Sequence, residues 1–284
     1  MSPVAMRTPA DLDENVYQLW CQRFERQIGV RIGDDRRLGV CGRIVERMAA
    51  CEMDAETYFN FATGDHPASI SEWQLLTDEL VVKETRFFRH PESIDFAVEC
   101  WRQHQQSGGG SFSVWSLGCA SGEETYSLAM AMSQAHTNSA VNYGVFGVDV
   151  SRAAIASARR GEYDSTRMSQ LEPVLLDHCF QKTGEGRYQI KQTIKRRTCF
   201  IQANLLENNQ NSLFSNADII FCQNLLPYFR RWQRQELVKR LASSLKPGGR
   251  LIVGPGELSD WRPPALERDG GKTVQVYRRP GEES

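Results

Sequence analysis

Four short segments hold residues whose types and spacing could do chemistry. In Val114-Trp-Ser-Leu-Gly-Cys-Ala-Ser-Gly-Glu-Glu-Thr-Tyr126, Gly118 and Gly122 fall between an apolar run and a polar helix start. Such a turn lets backbone approach a ligand closely, and the first N–H groups of the helix have no internal partner. The spacing is not Gly-x-Gly-x-x-Gly, so it is no dinucleotide fingerprint. Asp149 follows the run Gly144-Val-Phe-Gly-Val148. An acid there can accept hydrogen bonds from both hydroxyls of a ribose. It can also cap a helix ahead of Ser151; position and strand context favour the ribose. In Ala217-Asp-Ile-Ile-Phe-Cys-Gln-Asn-Leu-Leu-Pro-Tyr-Phe229, Asn224 and Tyr228 emerge just past a strand, where a parallel sheet lines its binding crevice. Asn224 could equally be a turn residue, and Tyr228 a core aromatic beside Phe229. Lys83-Glu-Thr-Arg-Phe-Phe-Arg-His-Pro91 packs three cations around two phenylalanines. Arg89 there could fork onto a carboxylate or make a structural salt bridge.

These segments need elements to position them. Up to about residue 106 the period is helical: Val16, Leu19, Trp20, Phe24 and Ile28 recur every three or four residues, as do Cys41, Ile44, Val45 and Met48. Ser71 with Gln74 has capping-box spacing ahead of Leu75, Leu76 and Leu80. Pro91 suits the first turn of a helix with apolar Ile94, Val98 and Trp101. Gln106-Ser107-Gly-Gly-Gly-Ser111 reads as a flexible boundary. Beyond it strands alternate with helices. Strands are expected over residues 112–117, 143–148, 199–202, 217–222 and 250–253. Ser151 should cap a helix that Gly161 ends. A helix over 232–245 should run into the tight turn Lys246-Pro-Gly-Gly249. This is an open α/β parallel sheet with helices on both faces. A last strand over 273–278 is expected antiparallel, at or near one edge. Gly-rich turns between β-prone runs suggest an inserted hairpin subdomain over about residues 179–200.

Composition narrows the field. The chain has 284 residues, 40% hydrophobic and 24% charged, with net charge −1. That balance argues against broad nucleic-acid binding. No apolar run approaches the roughly 20 residues of a membrane span, and residues 1–9 lack a signal-peptide core, so a cytoplasmic protein is expected. Eight cysteines show no Cys-x-x-Cys spacing and five histidines no metal cluster. They are read as reduced, mostly buried thiols, and no metal is expected. Arginines 23, 26, 31, 36, 37, 43 and 47 outnumber the four acids among them. A basic face of this kind could meet an acidic partner.

In this order the motifs resemble the CheR chemoreceptor methyltransferases, from about Gln18 to Arg278. The likeness rests on Thr85-Arg-Phe-Phe-Arg89, the Gly118 turn through Ser127, Gly147-Val-Asp149, Asn204-Leu-Leu206, Ile220-Phe-Cys-Gln-Asn224 with Tyr228-Phe229, and Leu245-Lys-Pro-Gly-Gly249. It implies a Rossmann-like class I methyltransferase sheet domain over 86–284, behind an all-helical domain over 1–85. It implies S-adenosylmethionine as cofactor, with S-adenosylhomocysteine as product. Thr85 and Arg89 would reach over that cofactor, Glu124 would hold a polar end of it, and Asp149 its ribose. Gly118 belongs to the binding turn. Asn204 and Leu205 would flank the adenine, and Gln223 and Asn224 would touch the cofactor. Arg89 and Tyr228 would face the methyl group and substrate, Tyr228 as the main catalytic contact. The implied reaction is O-methylation of glutamate side chains on methyl-accepting chemoreceptors. The helix with Arg36, Arg37, Arg43 and Arg47 resembles the family's docking helix.

Departures from the family pattern are Lys83 for Asn, Gln223 for Arg, Pro227 for an apolar residue, and Gly254-Pro-Gly-Glu257 for Gly-His-Ser-Glu. Lys83 could replace the charge lost at 223. The loop Thr183-Gly-Glu-Gly186 looks short for gripping a receptor pentapeptide, so pentapeptide independence is expected, in a monomer without a tetratricopeptide extension. A PilK-like, pilus-linked branch is one placement. The alternatives are a non-catalytic receptor-docking module and an N-methyltransferase. The latter rests on a likeness of Asn224-Leu-Leu-Pro-Tyr228 to Asn-Pro-Pro-Tyr, one residue too long.

Overall fold

The computed structural model describes residues 12–207, 215–269, 271 and 273–281. Residues 1–9, where no signal core was expected, lie outside the described residues. The chain divides into a helical unit, Met1–Val82 with Tyr228–Arg230, and a sheet unit, Lys83–Pro227 with Arg231–Ser284.

The helical unit comprises α1 (Glu14–Ile28), α2 (Arg37–Ala50), α3 (Ala55–Ala62) and α4 (Pro67–Leu80). Asp13 caps α1 and Asp54 caps α3 through their carboxylates, satisfying N–H groups that have no partner inside the helix. Trp20, Phe24, Ile44, Tyr58 and Leu76 are almost fully buried and form its core. One prediction fails here. α4 begins at Pro67, with the His66 ring accepting the Ala68 N–H, so Ser71 lies inside the helix and not at its cap. The Ser71 hydroxyl donates back to the Pro67 carbonyl at 3.0 Å. Proline at the first helical position outcompeted the serine signal four residues on.

In the sheet unit follow α5 (Pro91–Gln106), β1 (Phe112–Leu117), α6 (Glu123–Gln134), β2 (Tyr143–Asp149), α7 (Arg152–Arg160), β3 (Glu162–Asp164), α8 (Ser165–Met168), α9 (Pro173–Cys179), β4 (Phe180–Gly184), β5 (Arg187–Ile190), α10 (Gln192–Lys195), β6 (Thr198–Gln202), β7 (Ala217–Cys222), α11 (Arg231–Ser244), β8 (Leu245–Val253), β9 (Glu267–Arg268) and β10 (Gln275–Arg278). The main sheet has the order β6-β2-β1-β7-β8-β10-β9. β6, β2, β1, β7 and β8 pair in parallel, and β10 is antiparallel to both neighbours. The order turns back on itself at β1, which lies between β2 and β7, and such a switch point opens a crevice at the carboxyl ends of the strands. This is the expected α/β sheet, with the last strand next to the edge.

Ser151 caps α7 by accepting the Ala154 N–H at 3.1 Å, and Gly161 ends it at φ +60°. The glycine run 108–110 joins α5 to β1 inside the sheet unit. Trp101 of α5 is fully buried and packs on Phe112 and Tyr143. The hairpin β4–β5 forms as expected, but its small sheet has the order β3-β5-β4. The third strand therefore comes from residues 162–164, while residues 198–200 belong to the main sheet through β6. Aromatic packing joins this small sheet to the rest: the Phe87 ring meets Tyr163 and Phe180 edge-on, at 4.9 and 5.6 Å.

Candidate active site

Along the carboxyl edge of the sheet, five loops follow β6, β2, β1, β7 and β8 in that spatial order. The loops after β6, β1, β7 and β8 carry Asn204, Gly118, Asn224 and Glu257, and Asp149 is the last residue of β2. The turn after β1 is unusual backbone: Gly118, Ala120 and Gly122 all have positive φ, at +69°, +47° and +96°. Asp149 fixes this turn. Its Oδ2 accepts the Ala120 N–H at 2.9 Å and its Oδ1 the Ser151 N–H at 2.8 Å. The carboxylate is thus a brace between two loops as well as a half-buried acceptor facing the crevice edge.

The two glycines of the turn do different work. Gly118 is exposed; a Cβ there would come within 3.1 Å of Leu225 Cδ1. A Cβ on Gly122 would stand 2.9 Å from Ala158 Cβ and 3.1 Å from the Phe200 ring. Gly122 therefore serves helix–sheet packing, and Gly118 alone offers bare backbone at the crevice.

Glu124, in the first turn of α6, is half-buried, and Ser116 Oγ donates to its Oε1 at 2.8 Å. Burial pushes its carboxyl up to about 7, against the Ser116 hydrogen bond and the Arg89 charge, which lower it; nearby Glu257 adds to the rise. Glu257 is buried and likewise pushed up to about 7 by burial, despite N–H groups that favour its ionised form. Among the described residues neither acid has an ion-pair partner within 4.0 Å. Two acids without an ion-pair partner, Glu257 buried and Glu124 half-buried, beside bare backbone suit a ligand with a positive charge. Glu257 was not among the expected site residues; Gly254 followed three positions later by an acid, after a strand, was its signal.

The segment 83–90 is pinned from three sides. Phe87 is buried in the core. The Phe88 N–H, at φ +50°, donates to Ser127 Oγ at 3.0 Å. The His90 ring N–H meets Asn224 Oδ1 at 2.8 Å. Thr85 is half-buried and Lys83 exposed. The half-buried Arg89 guanidinium donates to the Glu84 carbonyl at 3.1 Å. Gln223 is buried, and its amide nitrogen goes to Ser93 Oγ at 2.9 Å and the Val253 carbonyl at 3.4 Å. That nitrogen is therefore bound within the protein, tying β7 to α5 and β8.

After β6, Asn204 Oδ1 accepts the Leu206 N–H at 3.1 Å, and buried Leu205 gives its carbonyl to Arg240 Nη2 at 2.6 Å. Tyr228 is half-buried and counts with the helical unit, where its carbonyl accepts the Arg31 N–H at 3.0 Å. The sheet unit thus brings Gly118, Glu124 and Asp149 to one turn, with Asn224 and Gln223 on the neighbouring loop.

Residues 83–265 match the family described as CheR methyltransferase, SAM binding domain. The chain belongs to this family. Over 268 residues it is 32% identical to the probable biofilm formation methyltransferase WspC of Pseudomonas aeruginosa, covering 92% of this chain and 62% of that one. With a chemotaxis protein methyltransferase of Salmonella typhimurium it shares 29% identity over 241 residues, 84% of this chain and 81% of the relative. Chemotaxis protein methyltransferase 1 of P. aeruginosa is 30% identical over 195 residues, covering 65% and 69% respectively. The chain therefore spans less than two thirds of the length of WspC and about four-fifths of the Salmonella protein. The cofactor of this CheR-family domain is S-adenosylmethionine. Its ammonium and sulfonium charges, ribose hydroxyls and flat base match the donor set here: unpaired acids, a braced aspartate and bare glycine backbone.

Proposed function

We propose that this CheR-family chain methylates glutamate side chains of methyl-accepting chemoreceptors, giving methyl esters and S-adenosylhomocysteine. The observation that carries the proposal is the Gly118 turn, with Asp149 braced to it by Ala120 and the unpaired Glu124 at its helix end. Asp149 would take the ribose, Glu124 the ammonium, and Asn204 with Leu205 the adenine. Gly118, Asn224 and Gln223 would line the cofactor through backbone or contact, with Lys83, Thr85 and Arg89 on its other side. Arg89 and Tyr228 would meet the substrate.

When bound, S-adenosylmethionine supplies an electrophilic methyl group on a sulfonium that leaves as a neutral thioether. A glutamate with an ordinary pKa of about 4.3 is already ionised at neutral pH. The chain therefore needs no general base, and none of the proposed residues has to move a proton. Its task is alignment of the carboxylate oxygen with the methyl–sulfur bond, and exclusion of water from the two charges. Tyr228 suits orientation without strong charge pairing. A tight Arg89–carboxylate fork would blunt the nucleophile, so Arg89 is assigned to cofactor and substrate together.

The sheet unit would carry the transfer and the helical unit the receptor contact. The β4–β5 connection is only Glu185 and Gly186, which supports a receptor contact independent of a tethering pentapeptide. We further propose a cytoplasmic monomer. Among the described residues no helix is long and apolar enough to cross a membrane.

The test is calorimetric titration with S-adenosylmethionine and S-adenosylhomocysteine, comparing wild type with Asp149→Ala, followed by radiolabel transfer onto receptor cytoplasmic domains. Affinity should fall at least about tenfold in the variant, since a charged acceptor to two partners is lost. The transferred label should be released by alkali, as a methyl ester is. Binding without transfer would leave a receptor-docking module, and alkali-stable label would point to an amine substrate.

A further inference from the structure

Two consecutive residues of the loop after β7 are tied to the start of α5. Gln223 Nε2 donates to Ser93 Oγ at 2.9 Å, and both side chains are buried. The His90 ring Nε2 lies 2.8 Å from Asn224 Oδ1. An amide oxygen only accepts, so the imidazole nitrogen is the donor. All four residues belong to the sheet unit.

The loop they hold is not relaxed backbone. Asn224 has φ +57°, a conformation that surrounding contacts must impose on a residue with a side chain. The next residue, Leu225, stands over Gly118, its Cδ1 at 3.1 Å from the place a Cβ would occupy. Asn224 therefore lies beside the bare backbone of the Gly118 turn. With Oδ1 turned to His90, the other end of the amide is an NH2 with two donors. That nitrogen has no hydrogen-bond partner among the described residues, and it is not a buried atom. A free NH2 fixed this way suits an acceptor, best an ionised one. An amine substrate would need the amide oxygen, which His90 takes up.

We propose that His90 is a positioning residue: by holding Asn224 Oδ1 it turns the Asn224 NH2 into a donor for a carboxylate in the crevice. This rests on the function proposed above, because it takes the carboxyl ends of β1 and β7 as the crevice. The carboxylate belongs either to the substrate glutamate or to the amino-acid end of the cofactor.

The experiment uses the full chain as wild type, His90→Ala, His90→Gln and Asn224→Asp. It reads S-adenosylhomocysteine affinity by calorimetry and the KM for a receptor cytoplasmic domain, at a temperature where circular dichroism reports a folded protein. His90→Ala should weaken one of these about tenfold, the size of a lost hydrogen bond to a charged group. A change in affinity alone identifies the cofactor's carboxylate, and a change in KM alone the substrate's. Glutamine also carries an Nε2 donor, so His90→Gln should restore most of the loss. Asn224→Asp keeps the acceptor for His90 but sets an anion against the carboxylate, and should lose more than His90→Ala. If the alanine variant does not fold, the other two carry the test. Wild-type constants in folded His90→Ala or in Asn224→Asp would overturn the proposal, as would a loss that glutamine does not restore. Wild type that binds the nucleotide but methylates no receptor would overturn the proposed function; weakened affinity in His90→Ala and Asn224→Asp would then leave this role standing, and unchanged affinity would overturn it too. Wild type that binds no nucleotide would overturn both.

Discussion

Ser116 Oγ donates to Glu124 Oε1 at 2.8 Å, and no cation lies within ion-pair distance of that carboxyl among the described residues. Burial holds Glu124 near pH 7, above its ordinary 4.5, and Glu257 is held similarly high. A carboxyl raised on folding binds more protons in the native than the unfolded state between those two values. Stability is then complete below about 4.5 and is lost as pH rises through about 7. Glu257 adds only the smallest of the named contributions to the rise of Glu124. His136, lowered by burial and by Arg197, works in the opposite sense, so the measurement is a difference between variants. The ligand-free wild type should lose Tm from pH 5 to 7.5 relative to Glu124→Gln, by a few degrees at ~2–4 °C per kcal/mol. Parallel melting curves for the two proteins would refute this assignment. Affinity for S-adenosylhomocysteine should rise with pH over the same window, by up to about tenfold per unit for one proton released.

Gly122 combines positive φ with close packing, whereas Gly108 has positive φ, +67°, and open space. Gly122→Ala should cost about 2–4 kcal/mol, adding backbone strain to overlap with Ala158 and Phe200. Gly108→Ala should cost only the backbone part, about 1 kcal/mol. Thermal melts of the two variants separate the terms. Equal losses would mean that the contacts of Gly122 relax without cost.

Arg167 of α8 pairs with Glu123 of α6, whose side chain is fully buried, and donates to Ser121 Oγ at 3.1 Å. The Tyr163 hydroxyl donates to the Ser121 carbonyl at 2.7 Å. The glycine turn is therefore clamped from the side of the small sheet. Arg167→Ala leaves the buried Glu123 side chain with Ser121 as its side-chain partner among the described residues. Because Arg167 is itself 44% exposed, the cost should be about 1–3 kcal/mol, below that of a fully buried pair. Nucleotide affinity should fall with it. A variant with unchanged Tm and unchanged affinity would show that the clamp contributes nothing.

The parts of this fold readable in sequence are those that local chemistry fixes. The Gly118–Gly122 turn, the Ser151 cap and the Gly161 stop all depend on residues within a few positions, and each forms where expected. α4 was misread because Ser71 and Pro67 both signal a start and only packing chooses between them. β3 carries no pattern, being three residues long, and gains strand geometry only by pairing with β5. Residue types placed Asp149, Asn224 and Gln223 at strand ends, but their partners lie far along the chain: His90 is 134 residues from Asn224, and Ser93 is 130 from Gln223. Glu257 carries one local signal, its place three residues after Gly254, and its burial shows only in the folded loops.

The same limit applies to the basic run of the helical unit, and it yields the last prediction. Read as sequence, Arg36, Arg37, Arg43 and Arg47 form one docking face. In the structure the Arg36 guanidinium donates to the Leu80 carbonyl, Arg37 pairs with Glu14 over the Tyr17 ring, and Arg43 pairs with Glu46. Arg47 forks onto Glu72 through two bonds of 2.8 and 2.7 Å, and the Tyr58 hydroxyl donates to the same carboxylate at 2.6 Å. Burial alone would raise Glu72, but the Arg47 and Tyr58 hydrogen bonds outweigh it and hold the carboxyl below its ordinary value. Glu72 is 5% exposed, so Arg47→Ala strands a buried charge and should cost about 3 kcal/mol. That variant should melt early at neutral pH, and its deficit against wild type should shrink as pH falls below about 4.5, because protonation neutralises the stranded carboxyl while wild type loses the stability its lowered Glu72 supplies. Arg43 is 55% exposed in a pair one helical turn apart, an arrangement that adds little to stability. Arg43→Glu should therefore leave Tm unchanged while raising the KM for an acidic receptor helix and weakening its salt dependence. If Arg43→Glu changes neither KM nor salt dependence, this face does not dock the substrate, and the arginines serve the helical unit's own packing.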